Sequence, residues 1–252
     1  NSGVGIYSTN GTVNLNTGSI LNLGANGTIG VYGISSAVIN SADIDAKDHN
    51  YGFVIKNGSF TNNNGTNSVI GTDSVFMYST EAATVQNNGN LTMTGSDNIG
   101  FYMAKDSVSG AGGGIITNNG IITGTGGNNN VGIEKYGGTI DNYGTVTVGG
   151  SDIVFINGTT DIDAENSKYA VGLYGENATI INRSGAVVSA AYGGYGIVAS
   201  GGAASNYGTI KTNGDYSRGM YTDNGIIVNE IGGVIDVAGE SAIGMAGKGA
   251  DS

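Results

Sequence analysis

An all-β fold, a single-stranded parallel β-helix of about eleven coils of roughly 23 residues, is what this sequence predicts, and three observations predict it. The first is composition. Of 252 residues 48 are glycine, proline, cysteine and tryptophan are absent, and only 12% are charged. Polarity in such a chain comes from Asn, Ser, Thr and Gly, which suit turns and strand edges better than helices. The second is an asparagine followed two or three residues later by glycine. It recurs at Asn16, Asn40 (Ala42 replacing the glycine), Asn63, Asn87, Asn118, Asn142, Asn182, Asn206 and Asn229, mostly 23 or 24 residues apart. The third is the glycine of a Gly-apolar-Tyr triplet, which keeps the same period at Gly5, Gly30, Gly52, Gly100, Gly132, Gly172, Gly196, Gly219 and Gly244, with Ser74 standing in once. Two separate markers holding one period predict a solenoid.

Each coil reads as three short strands with period-two alternation. The first strand carries an apolar residue two before the asparagine: Val38, Val85, Ile116, Ile140, Ile180 and Ile227, with Ala204 small and Asn14 and Thr61 as polar exceptions. The second is marked by Ile20, Ile44, Leu91, Ile122, Val146, Val187, Ile210 and Ile235. Asn67 breaks this column, with Val69 two places on, so a bulge is expected there. The third carries Ile6, Val31, Phe53, Val75, Phe101, Ile133, Phe155, Leu173, Ile197, Met220 and Met245, with no polar member, and is expected to face inward. Corners are assigned to Gly and Asn, which take positive φ at little cost. Equivalent amides stacked coil upon coil then form a ladder, through Asn40, Asn87, Asn118, Asn142, Asn182, Asn206 and Asn229.

The chain reads as one continuous solenoid segment over residues 1–252, a piece of something longer, with two interruptions. One asparagine spacing is seven residues too long, which predicts a loop at 105–114. The other is 40 residues, from Asn142 to Asn182, and contains Asp161-Ile162-Asp163-Ala164, a repeat of Asp43-Ile44-Asp45-Ala46. It predicts a shortened coil at 151–165 lacking one strand.

Beside the inward third column stands Tyr7, Tyr32, Val54, Phe76, Tyr102, Glu134, Ile156, Tyr174, Val198, Tyr221 and Ala246, which alternation turns outward. Part-exposed tyrosines stack either on each other or on a sugar or protein partner. Binding residues are expected where the repeat breaks: Tyr102, Lys105, Asp106, Asp161, Asp163 and Tyr174. The acidic pairs at 43–45 and 161–163 read first as solvated strand carboxylates and second as Ca²⁺ ligands, so no metal or other cofactor is expected.

Several function classes recede. A net charge of −11 with no basic run disfavours nucleic acid and anionic membrane surfaces, and no apolar run approaches the length of a membrane span. Zero cysteine excludes disulfides and thiolate metal sites. The single histidine, His49, has no Gly-x-Ser-x-Gly element to serve; Gly71-Thr72-Asp73-Ser74 is the nearest sequence. A polysaccharide-cutting site would need clustered carboxylates beside a cation, and Asp141, Arg183 and Lys211 are the residues that stacking could bring together.

Units such as Asn142-Tyr143-Gly144-Thr145-Val146 and Gly219-Met220-Tyr221 resemble the passenger domains of large type V autotransporter adhesins, the fusobacterial ones in particular, along essentially the whole chain. The resemblance implies a right-handed β-helical stalk, without enzymatic activity, on the bacterial cell surface or secreted. Its implied partners are a host-cell surface protein, a glycan or other bacteria, and the segment itself is expected to be monomeric. A polysaccharide-degrading β-helix and a pure spacer are the alternatives.

Overall fold

Each coil of the chain gives one strand to each of three parallel sheets in the computed structural model, which describes residues 3–249 apart from 64–67, 81–82, 106–112, 152–153, 157–158 and 162–168. The first coil is Val4–Thr9, Thr12–Leu15 and Ile20–Leu23, and the second is Ile29–Ile34, Ala37–Asn40 and Asp43–Ala46. Every strand but two pairs with its equivalent one coil away, giving sheets of ten, nine and nine strands. The fold is therefore the expected all-β parallel solenoid. It has about nine coils of about 24 residues rather than eleven of 23. With roughly 4.8 Å between paired strands, the axis is on the order of 45 Å long.

The register fills the core with three inward columns, and it corrects the expected positions by one or two residues. In the second sheet the column runs Val13, Val38, Phe60, Val85, Ile116, Ile140, Ile180, Ala204 and Ile227. Asn14 and Thr61 are therefore not polar exceptions; their preceding neighbours face in. In the third sheet Leu21 replaces the expected Ile20, and Val188 replaces Val187. Ile20 is 65% exposed while Val188 is fully buried. In the first sheet Met77 replaces Val75 between Phe53 and Phe101. The Met77 shift is of two residues and keeps the face, because Phe76 stands where the other coils have glycine. The one-residue slips share a cause. Adjacent apolar or adjacent Asn residues satisfy the repeat spacing equally well, but a one-residue shift turns every side chain of a strand to the other face, so burial decides. The expected bulge falls on residues 64–67, outside the described residues; the strand Ser68–Ile70 that follows is in register with both neighbours.

The glycine column of the first sheet is a packing requirement. None of these glycines is at positive φ; a Cβ on Gly132 would lie 2.6 Å from the Gly172 carbonyl oxygen and 2.4 Å from Val146 Cγ1. With the backbone as it stands, the neighbouring coil leaves no room for a Cβ on Gly132. One coil solves the space differently. Phe76 takes the glycine position, fully buried, in the coil where Ser68 stands at the register position of Leu91 and Ile122. Its ring joins Phe53, Phe60 and Phe101, with centroids 5.4, 6.1 and 5.5 Å away.

The two interruptions differ in kind. Val131–Tyr136, Thr139–Asn142 and Thr145–Val148 pair directly with Val171–Glu176, Thr179–Asn182 and Val187–Ala190, so no coil intervenes between them. The expected shortened coil at 151–165 is instead an excursion, in which Val154–Ile156 and Thr159–Asp161 pair with each other in antiparallel sense. Phe155 and Ile156 thus leave the solenoid columns. The Asn157-Gly158 dipeptide between these strands is a hairpin signal that the repeat alignment overrode. At 105–114 the extra residues sit between Ile99–Met103 of the first sheet and Ile115–Asn118 of the second, both in register with their neighbours.

Candidate binding face

The asparagine ladder joins all the asparagines named for it from the sequence and gains Asn62. Asn40 Nδ2 donates to Asn62 Oδ1 at 2.9 Å and Asn62 Nδ2 to Asn87 Oδ1 at 2.8 Å. The chain continues through Asn118, Asn142, Asn182 and Asn206 to Asn229 with amide bonds of 2.7–2.8 Å. Asn62 is the member, not Asn63, and Leu15 holds the register of the first coil in place of Asn16. None of the ladder asparagines has positive φ, so they serve through their amides; the left-handed corner positions belong to other residues, such as Asn10, Asn57, Asn177 and Asn224. Asn63 belongs to an exposed parallel row in which Asn88 donates to it and Asn119 to Asn88, both at 2.9 Å.

A second buried row was missed. Asn50 accepts from the Thr28 N–H, Ser74 Oγ from Asn50, Asn98 from Ser74 and Asn130 from Asn98, closing the corner before the first sheet. Its signal was an Asn two residues before Gly52, Gly100 and Gly132. Ser74 belongs here and is no substitute for a glycine.

The outward column of the first sheet runs Tyr7, Tyr32, Val54, Tyr78, Tyr102, Glu134, Tyr174, Val198, Tyr221 and Ala246, with Tyr78 where Phe76 was expected and no place for Ile156. Neighbouring rings touch: Tyr7 and Tyr32 stack at 5.7 Å, and Tyr78 meets Tyr102 edge-on at 5.3 Å. The two candidate tyrosines are brought to one place. Tyr102 and Tyr174 flank Glu134 in consecutive coils. Tyr136, two residues along on the Glu134 strand, lies 6.2 Å from Tyr102 and pairs in register with Glu176.

This cluster is electrostatically unusual. Burial, then the neighbouring Glu176 charge, pushes the Glu134 carboxyl up to about 7. Burial and the two carboxylates push Tyr136 up to about 12 and raise Tyr102 and Tyr174 as well. Among the described residues no cation pairs with Glu134 or Glu176. Beneath it, Lys135 turns into the core. Its Nζ donates to the Gly113 carbonyl at 2.6 Å and lies 2.7 Å from Met103 Sδ, and burial lowers the amine to about 8. Neither Glu176 nor Lys135 was singled out from sequence, because only the coil register makes them neighbours of the predicted tyrosines.

The remaining candidates separate. Lys105 is exposed just past Met103, and Asp106 and Asp163 lie outside the described residues. Asp161 is in the excursion, opposite Val154, so its correspondence to Asp43 does not hold. Asp45 is paired with Lys47 at 3.2 Å, and no three His, Asp or Glu side chains converge among the described residues. Asp141 and Arg183 do meet, in a two-pronged ion pair at 2.6 and 3.1 Å with the guanidinium over the Tyr143 ring, while Lys211 stands on a different sheet. His49 is a left-handed corner residue 3.5 Å from Asp73.

A family model, the BigA third pectate lyase-like domain, matches residues 3–227. No curated protein and no solved structure matches the chain.

Proposed function

The chain belongs to the family of the BigA third pectate lyase-like domain, and we propose that it is a segment of a bacterial surface adhesin, a stiff β-helical rod that presents a binding face and does no chemistry. The observation that carries this reading is the outward side of the ten-stranded sheet, where a column of tyrosines runs along the rod and is interrupted by Glu134 between Tyr102 and Tyr174. Tyrosine offers a flat apolar face with a polar tip, which suits sugar rings and protein partners alike. Membership of a family named for an autotransporter-like adhesin supports it, as does the resemblance to autotransporter passengers. The partner is then a host-cell surface protein or glycan, or another bacterium, met at the cell surface, and the segment acts as a monomer.

A glycan array and a cell-binding assay on the isolated chain test the proposal. Tyr102→Ala with Tyr174→Ala should weaken adhesion while β-sheet circular dichroism stays unchanged. Replacing residues 107–112 by a two-residue link should also weaken it, leaving Gly113 to receive Lys135. Binding unaltered by both changes would remove the idea, and a chain that binds nothing at all would be a spacer.

A pectate lyase-like description and the adjacent Glu134 and Glu176 favour one second reading, cleavage of an acidic polysaccharide. It requires new reducing ends or unsaturated products when the chain is incubated with such a polymer.

A further inference from the structure

We infer that Tyr102, Glu134, Tyr136, Tyr174 and Glu176 form a recognition site for an organic ammonium group, such as a choline headgroup or a lysine side chain. The inference deepens the adhesive reading and rests on it for its biological use, though not for its chemistry.

Three features of the cluster point to a cation. The five side chains leave one face of the first sheet from three consecutive coils. Strand spacing of about 4.8 Å and a two-residue step of about 6.6 Å keep their backbone positions within roughly 12 Å of each other. Three tyrosines therefore share this patch with two carboxylates. Aromatic faces attract ammonium groups through the ring quadrupole, and more strongly when the site is partly desolvated. The second feature is the unbalanced charge. Glu134 and Glu176 stand diagonally across one strand pair, Glu176 opposite Tyr136, with no cationic partner among the described residues. The one lysine on the Glu134 strand, Lys135, points into the core and is held by Gly113 and Met103.

The third feature is the state in which the site waits. Burial and mutual repulsion hold Glu134 protonated to about pH 7. A bound cation would offset the repulsion and favour the charged form, so ligand and proton compete for one carboxylate. The titratable groups facing Glu134 are Tyr102 from the coil before, Tyr136 on its own strand, and Tyr174 and Glu176 from the coil after, with Asp223 farther along beyond Tyr174. An inorganic cation would find carboxylates but no use for the rings. A neutral sugar would find rings but leave the carboxylates repelling each other. An alkylated ammonium uses both.

The test is titration of the whole chain with choline chloride against sodium chloride at matched ionic strength, read by tyrosine fluorescence and by NMR of the glutamate carboxyls. Saturable choline binding is expected, stronger at pH 8 than at pH 5.5, with the Glu134 transition moved to lower pH. Glu176→Gln and Tyr136→Ala should each weaken it by roughly threefold to tenfold, while Tyr221→Ala on the same column should not. Butylammonium in place of choline separates a lysine-like source from a quaternary one. No saturation by either ammonium, or equal binding by the variants whose circular dichroism is native, would overturn the inference. Adhesion to cells in that case would leave the adhesive reading standing without this site. Choline binding with no adhesion would sink the adhesive reading and keep the site.

Discussion

Lys135 shows how one side chain can carry an energetic cost at the base of an insertion. Its equivalents in neighbouring coils are Met103 and Gly175, so a charged amine occupies an inward position of the core. The Gly113 carbonyl compensates in part, and the amine is still lowered from its ordinary 10.5 to about 8. Between about pH 8 and 10.5 the unfolded chain holds a proton that the folded chain has lost. Stability therefore rises with pH through that window, and below it the full cost of the buried charge is present. Lys135→Met should remove this slope and gain on the order of 3 kcal/mol at pH 7, less the lost Gly113 bond. Urea denaturation of parent and variant at pH 7, 9 and 10 measures it. A variant whose pH dependence matches the parent's would show that the amine is not desolvated.

At the scale of the element, the corner between the second and third sheets is held by side chains as much as by backbone. Each ladder asparagine between the two ends gives one amide–amide bond and receives one, so removing a member affects two neighbours in a buried row. Asn142→Ala takes the acceptor from Asn118, whose Nδ2 keeps the Gly120 carbonyl at 3.3 Å, and the donor from Asn182. The stranded Asn182 oxygen and the weakened Asn118 amide cost about 1–3 kcal/mol together. Asn119→Ala, in the exposed row alongside, removes one bond to Asn88 that water can replace, and the loss should stay within about 0.5 kcal/mol. Thermal unfolding of the two variants compares them directly. Equal losses would mean that the ladder is decoration on a backbone sufficient by itself.

For the whole molecule, a solenoid is a stack in which each coil touches only its neighbours, so stability adds along the axis and is weakest at the ends. The four-phenylalanine cluster of Phe53, Phe60, Phe76 and Phe101 lies well inside the stack. The last coil exposes Ile226, Val234 and Met245 at 65%, 50% and 40%. In the isolated segment, hydrogen exchange should therefore be slowest in the strands around Phe76 and fastest at 226–248, with protection falling toward both ends. Uniform protection along the rod would show that the coils unfold as one unit.

Sequence alone determined the architecture, because period and alternation are local. The asparagine and glycine markers fixed the coil length, three strands per coil followed from where the apolar residues fell, and the outward tyrosines followed from alternation. What it left open was phase. At Asn62-Asn63, Ile20-Leu21 and Val187-Val188 two adjacent residues fit the spacing equally, and only burial against the other sheets chose between them. The excursion near 154–161 escaped for a related reason. A stretch of Asp-Ile-Asp-Ala looks like a coil until the ladder is seen to close from Val131–Tyr136 to Val171–Glu176 without it. The same closure makes the candidate site. Glu134 and Glu176 are 42 positions apart in a chain whose period is about 24, and the inserted residues hide their nearness. Tyr102 and Tyr174 could be chosen from sequence as exposed rings, but that they flank a raised carboxyl was decided by which strand pairs with which, since parallel pairing alone sets which coils are neighbours.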